Sequence, residues 1–222
     1  MSHTPCHCTR QQCTAEAVGT FMLVLVGTGA IMLNTLMHGA ITTAGIGLAF
    51  GGIVTLMVLA LGPISGAHIN PAVTLTLAFQ KKLSFRQAGC YILYQITGAL
   101  LASVTLLLLF GNVSSLGASL PAGPAWQSLV LEFFLSLILM LVIIYCISNK
   151  NISLWTTAIL IGTTVGLEAT FAGPLCGASM NPARSFAPAL VSGNLTHHWL
   201  YWVGPIGGML TAIPLWRWLG KR

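Results

Sequence analysis

The sequence predicts an all-α membrane protein of six transmembrane helices plus two re-entrant half-helices, arranged as an inverted repeat. Three observations carry this reading. The 222-residue chain is 55% hydrophobic and only 5% charged, with a mean hydropathy of +0.86. Six apolar stretches approach the ~20 residues needed to cross a bilayer. A polar segment containing Asn-Pro-Ala occurs twice, 111 residues apart, half the chain length.

The six stretches are residues 14–34, 41–62, 88–110, 126–148, 153–172 and 198–219. Each is apolar on most faces, as lipid requires. The two-residue alternation of a β-barrel is absent, and no cleavable signal peptide is expected. Arg10, Lys81, Lys82, Arg86, Lys150, Arg217, Lys221 and Arg222 fall on one side of six crossings. Cytoplasmic loops retain Lys and Arg, so both termini are expected in the cytoplasm of an integral, multi-pass protein. The net charge of +6 therefore needs no nucleic-acid partner. Arg184 is the one basic residue left over.

The repeated segments are PISGAHINPAV from Pro63 and PLCGASMNPAR from Pro174. Three spans per half make the second half enter from the opposite side, and matching interrupted segments then point to the solute pathway. Asn is a favoured N-cap and Pro is favoured at the first helical position. Asn70, Pro71 and Ala72, and Asn181, Pro182 and Ala183, thus start half-helices over 70–80 and 181–191, too short to span. Their polar groups face protein or a wet cavity. The expected organisation is an N-terminal tail (1–13), a first repeat (14–110), an extracellular connecting loop (111–125), and a second repeat (126–222) ending in a short cytoplasmic C-terminus.

The paired Asn-Pro-Ala boxes, their SGAHINPAVT and GASMNPARSFAPA contexts, and the acids in AEAVGTF and LEFFLSL resemble the aquaporin or major intrinsic protein family across nearly the whole chain. The resemblance implies an aquaporin-like fold and a homotetramer in the lipid bilayer. It implies passive conduction of water or small neutral solutes, without a cofactor. Two half-helix N-termini, each carrying roughly +0.5 of a charge, would repel cations at the pore centre while Asn70 and Asn181 donate to passing water. Arg184, in the first turn of a half-helix where the dipole disfavours a cation, is implied to sit at the outer constriction.

Family offsets add Phe50, Ala169 and Ala178 to that filter. Orthodox water channels resemble this chain at Phe50 and Arg184 but carry His where Ala169 stands, so a wider filter is expected, open to glycerol or metalloid hydroxides. Ser185, Tyr201 and Trp202 pull instead toward a strict water channel. The AGPxxGASMNPAR context is similar to tonoplast-type and nodulin-type intrinsic proteins and bacterial relatives of the latter.

Of three acids, Glu16 and Glu132 match the family's buried glutamates. A carboxylate within a membrane is costly unless partnered. Glu168 is extra, and two readings stand: it accepts from the backbone of the second loop, or it modulates permeation with pH. Three of the six cysteines lie near the N-terminus. Cys6, Cys8 and Cys13 with His7 are weak candidates for soft-metal binding, against an unstructured tail of reduced thiols; no firm metal site is expected. A coupled secondary transporter would need an ionisable pair at mid-membrane, and only Glu168 is spare. An adhesive or sensory role would need long outer loops, and an enzyme a recognisable set of nucleophile, base and orienting group. Neither is present in the sequence.

Overall fold

A computed structural model describes residues 8–220. Among them lie nine helical segments: α1 (Arg10–Leu36), α2 (Thr42–Ser65), α3 (Pro71–Phe79), α4 (Phe85–Phe110), α5 (Ser114–Gly117), α6 (Ala125–Ser148), α7 (Leu154–Cys176), α8 (Pro182–Ser192) and α9 (Leu200–Leu219). Five of these, α1, α2, α4, α6 and α7, are long and apolar enough to cross a membrane. The sixth expected span, α9, falls short by composition because Pro205, Pro214, three glycines and four tryptophans or tyrosines dilute its aliphatic content. It nevertheless packs along α6 as α4 packs along α1.

The repeat is written in the backbone. Ser65 and Cys176 end α2 and α7, Pro71 and Pro182 begin α3 and α8, and each pair is 111 residues apart. α2 and α7 pack on each other, while α3 lies against α9 and α8 against α4, so each half-helix touches the opposite half. The α2–α7 crossing is close. A Cβ on Gly51 would stand 2.6 Å from the Gly162 carbonyl oxygen, and one on Gly162 would stand 2.5 Å from that of Gly51. Small residues let helix backbones approach in this way.

The half-helices match expectation within two residues. α7 runs past the expected end at 172 to Cys176, since the fixed φ of Pro174 is helical and only one ladder bond is lost near the terminus. The main apolar cluster includes Leu23, Phe50, Val54, Met140, Val165 and Met180. Outside it the surface is oily: Leu48, Leu108, Trp126 and Phe171 are each more than two-thirds exposed, as lipid contact requires.

The first helix corrects the expected tail. α1 starts at Arg10, where Thr9 accepts from the Gln12 amide and the Gln12 side chain accepts from the Thr9 amide, 3.2 Å each. This capping box brings the residue before the cap beside the fourth helical residue, the staple positions. Those residues are Cys8 and Cys13, and they are joined as a disulfide with Cα atoms 6.7 Å apart. Two of the weak metal candidates thus hold each other rather than standing as free thiols. Cys6 and His7 lie outside the described residues, and Cys90, Cys146 and Cys176 are free.

Candidate functional site

Both loops that lead into the half-helices are backbone-strained in the same pattern. Gly66 and Gly177 (φ 89° and 88°) end α2 and α7 in the left-handed region. Ala67 and Ala178 (φ 46° and 39°) and Ile69 and Met180 (φ 43° and 53°) then adopt left-handed φ without being glycine. Each such residue costs on the order of 1–3 kcal/mol and persists only where its surroundings fix it.

A buried glutamate does the fixing in each half. Glu16 accepts from the amides of His68 (2.9 Å) and Ile69 (2.7 Å), the Ser65 hydroxyl (2.6 Å) and the Gln95 amide (2.7 Å). Glu132 accepts from the amides of Ser179 (2.7 Å) and Met180 (2.8 Å). Both acids are fully buried, and hydrogen bonds to a charged acceptor are the stronger kind.

Each asparagine caps its own half-helix and holds the other half. Asn70 Oδ1 accepts from the Ala72 amide (2.9 Å) while its Nδ2 donates to the Met180 carbonyl (2.8 Å). Asn181 Oδ1 accepts from Ala183 (3.0 Å) and Arg184 (3.3 Å), and its Nδ2 donates to the Ile69 carbonyl (2.8 Å). A carboxamide nitrogen carries two hydrogens. One of them is therefore committed to the opposite loop, and one is left for a passing molecule.

Beside these residues runs a cavity of about 310 Å³, lined from Ile147 and Leu154 at one end, past Asn70 and Asn181, to Phe50 and Arg184 at the other. Its lining is mostly aliphatic, with His68, the two asparagines and loop residues 66–69 and 178–180 among it. Arg184 is 2% exposed. Its Nη1 donates to the Gly117 carbonyl (3.0 Å) and the Ser119 hydroxyl (2.8 Å), and its guanidinium carbon lies 4.9 Å from the Phe50 ring centre. Its Nε has no hydrogen-bond partner.

The arrangement is matched in known proteins. The family model of the major intrinsic proteins covers residues 5–214. The chain belongs to that family. Among its relatives, "Aquaporin NIP1-1" of Zea mays is 44% identical over 91% of this chain and 72% of its own length. "Nodulin-26" of Glycine max is 38% identical over 91% and 75%. The solved structure of the aquaglyceroporin from Plasmodium falciparum superposes with a TM-score of 0.84 over 93% of this chain and 94% of that one, at 22% identity, which shows the fold. This major intrinsic protein is a multi-pass membrane channel and not an enzyme.

Of the four residues expected at the filter, Phe50, Ala178 and Arg184 are among those lining the cavity, and Arg184 lies against the Phe50 ring. Ala169 is buried in the same apolar cluster as Phe50 and Ala178 but is not among the lining residues. Glu168 does not accept from the second loop, since Glu132 already takes the Ser179 and Met180 amides; both Glu168 carboxyl oxygens are without a hydrogen-bond partner.

Sequence reading missed the residues that hold the filter in place. Gly117 and Ser119 anchor Arg184 from the connecting loop. Ser185 donates to Ser119 (3.0 Å) and makes a short hydrogen bond with Ser179, and Tyr201 donates to the Cys176 carbonyl (2.7 Å). Gln95, which bridges Glu16 and Thr74, was findable as an amide inside an apolar span.

Proposed function

We propose that this channel conducts water and small neutral solutes, of the size of glycerol or a metalloid hydroxide, while excluding protons and ions. The supporting observation is the donor pattern along the cavity. Two half-helix N-termini face each other across the asparagines, each asparagine keeps one N–H free, and Arg184 offers an uncommitted Nε–H beyond them. Donors and positive helix ends attract a neutral oxygen and oppose a cation. A water that accepts from both asparagines is turned so that it cannot pass a proton on.

A strict water channel is the second reading. Ser185, Tyr201 and Trp202 favour it, because all three are engaged in packing the outer end. We place both termini in the cytoplasm on the distribution of basic residues. A homotetramer follows from the family resemblance.

Stopped-flow light scattering on proteoliposomes tests this directly. Water flux with a low activation energy, glycerol flux above that of empty liposomes, and no steady proton or sodium current are the expected outcomes. Robust water flux with glycerol and arsenous acid fluxes equal to empty liposomes establishes the strict water channel instead. A steady ionic current sinks the donor-pattern mechanism altogether.

A further inference from the structure

The surface of this chain carries cations without side-chain carboxylates to answer them. Of the three acidic residues, Glu16 and Glu132 are fully buried and Glu168 is 8% exposed. Arg10 begins α1, Lys81, Lys82 and Arg86 surround the turn between α3 and α4, Lys150 lies between α6 and α7, and Arg217 sits in the last turn of α9. All six are exposed, and the alternation of crossings puts them on one side. Their counter-charge has to come from outside the protein.

Three of these cations belong to a fixed, amphipathic corner. Two half-helices entering from opposite faces put the asparagines near mid-membrane, and α3 runs outward from there. At about 1.5 Å per residue, Phe79 stands roughly 12 Å from Pro71, close to the edge of a hydrocarbon core about 15 Å deep on each side. Lys81 and Lys82 follow at headgroup depth. Phe79 and Phe85 are 55% and 60% exposed, and their rings meet edge to face with centres 5.3 Å apart. The turn that joins them is held by its own backbone: the Lys81 amide donates to the Ala78 carbonyl (2.9 Å), the Lys82 amide to the Leu77 carbonyl (3.0 Å), and the Ser84 hydroxyl accepts from the Gln87 amide (3.1 Å). Along the next turns of α4, Gly89 and Leu93 are exposed as Phe85 is, at the four-residue spacing of one helix flank. Open space lies where a Gly89 side chain would stand.

We propose that the α3–α4 corner is a binding site for an anionic phospholipid. Lys81, Lys82 and Arg86 hold the headgroup, with Arg86 offering the planar fork that suits a phosphate, and an acyl chain runs over Phe85, Gly89 and Leu93. Charge selects the lipid. A zwitterionic headgroup brings the same phosphate together with a cation, which three uncompensated basic residues disfavour, whereas a net negative headgroup answers them. A free phosphate would leave the apolar half of the corner unfilled. The site lies on the outer flank of α3 and α4 and does not depend on which solutes the channel passes.

The experiment is native mass spectrometry of the full chain in detergent, given equal amounts of phosphatidylglycerol and phosphatidylcholine with the same acyl chains. The full chain is expected to retain phosphatidylglycerol at least about fivefold over phosphatidylcholine, and K81Q/K82Q/R86Q to bring the ratio within about twofold of parity. R10Q/K150Q/R217Q removes the same charge from the same side and is expected to keep the native preference. Equal loss in both triple variants overturns the proposal, because it means a diffuse field and not a site. So does the absence of any preference in the full chain, or an unchanged ratio in K81Q/K82Q/R86Q. Stripping of the retained lipid by an excess of glycerol phosphate overturns it as well, since the corner then takes a soluble anion. Should K81Q/K82Q/R86Q fail to assemble, K82Q/R86Q is read in its place: a fall of at least about threefold supports the site, and an unchanged ratio overturns it.

Discussion

Arg184 is anchored through its Nη1, while its buried Nε has no hydrogen-bond partner. Its Nη1 is fixed by Gly117 and Ser119, its face lies over Phe50, and its Nε–H is free. Arg184→Ala removes the outer donor and charge together, so glycerol flux should rise and some cation leak should appear in proteoliposomes; a properly assembled variant with native selectivity would take Arg184 out of the filter. Ser119→Ala is milder. The Gly117 carbonyl remains, so the loss is one hydrogen bond to a charged group, about 1.5 kcal/mol at the lower end of its range, read as a lowered unfolding midpoint in detergent with water flux retained. Ala169→His probes the space beside Glu168. An imidazole reaches the cavity where the methyl does not, and it should cut glycerol flux severalfold while leaving most water flux, measured side by side in the same vesicles.

At the scale of elements, the two half-helices are mutually dependent. Asn70→Ala removes a cap worth about 1 kcal/mol and also the bond that holds the Met180 carbonyl; Asn181→Ala does the same to its own cap and to Ile69. Residues that share a network fail to add. A thermal-stability cycle over the two single variants and the double variant should therefore show a coupling of at least about 0.5 kcal/mol, whereas strict additivity would mean that the loops are held by Glu16 and Glu132 alone. The strained φ values at Ile69 and Met180 place a matching demand on the acids, because two amides pointing at one carboxylate help to keep those residues in the left-handed region.

For the molecule as a whole, the six long apolar segments and the duplicated Asn-Pro-Ala boxes were legible because each is a strong and periodic signal. The caps at Asn70 and Asn181 followed from side-chain chemistry alone. The connecting loop was not legible. Ser114, Ser115, Leu116 and Gly117 all take positive φ, a left-handed turn with no periodic pattern to announce it, and it is this turn that presents the Gly117 carbonyl to Arg184. The twelve-residue offset found Ala169 on the right stretch of α7 but counts residues, not how far a methyl reaches. Likewise, the sequence named three buried acids without showing that Glu132 would leave no amide for Glu168. The crossed bonds between the halves carry a consequence for biosynthesis. A ribosome delivers Asn70 and Ile69 more than a hundred residues before Met180 and Asn181 exist, so during that interval the first re-entrant loop sits in the membrane with its partner amide and carbonyl unanswered. Glu16, Ser65, Tyr91 and Gln95, all made within or soon after that first half, are what keep the loop from slipping out until its counterpart arrives.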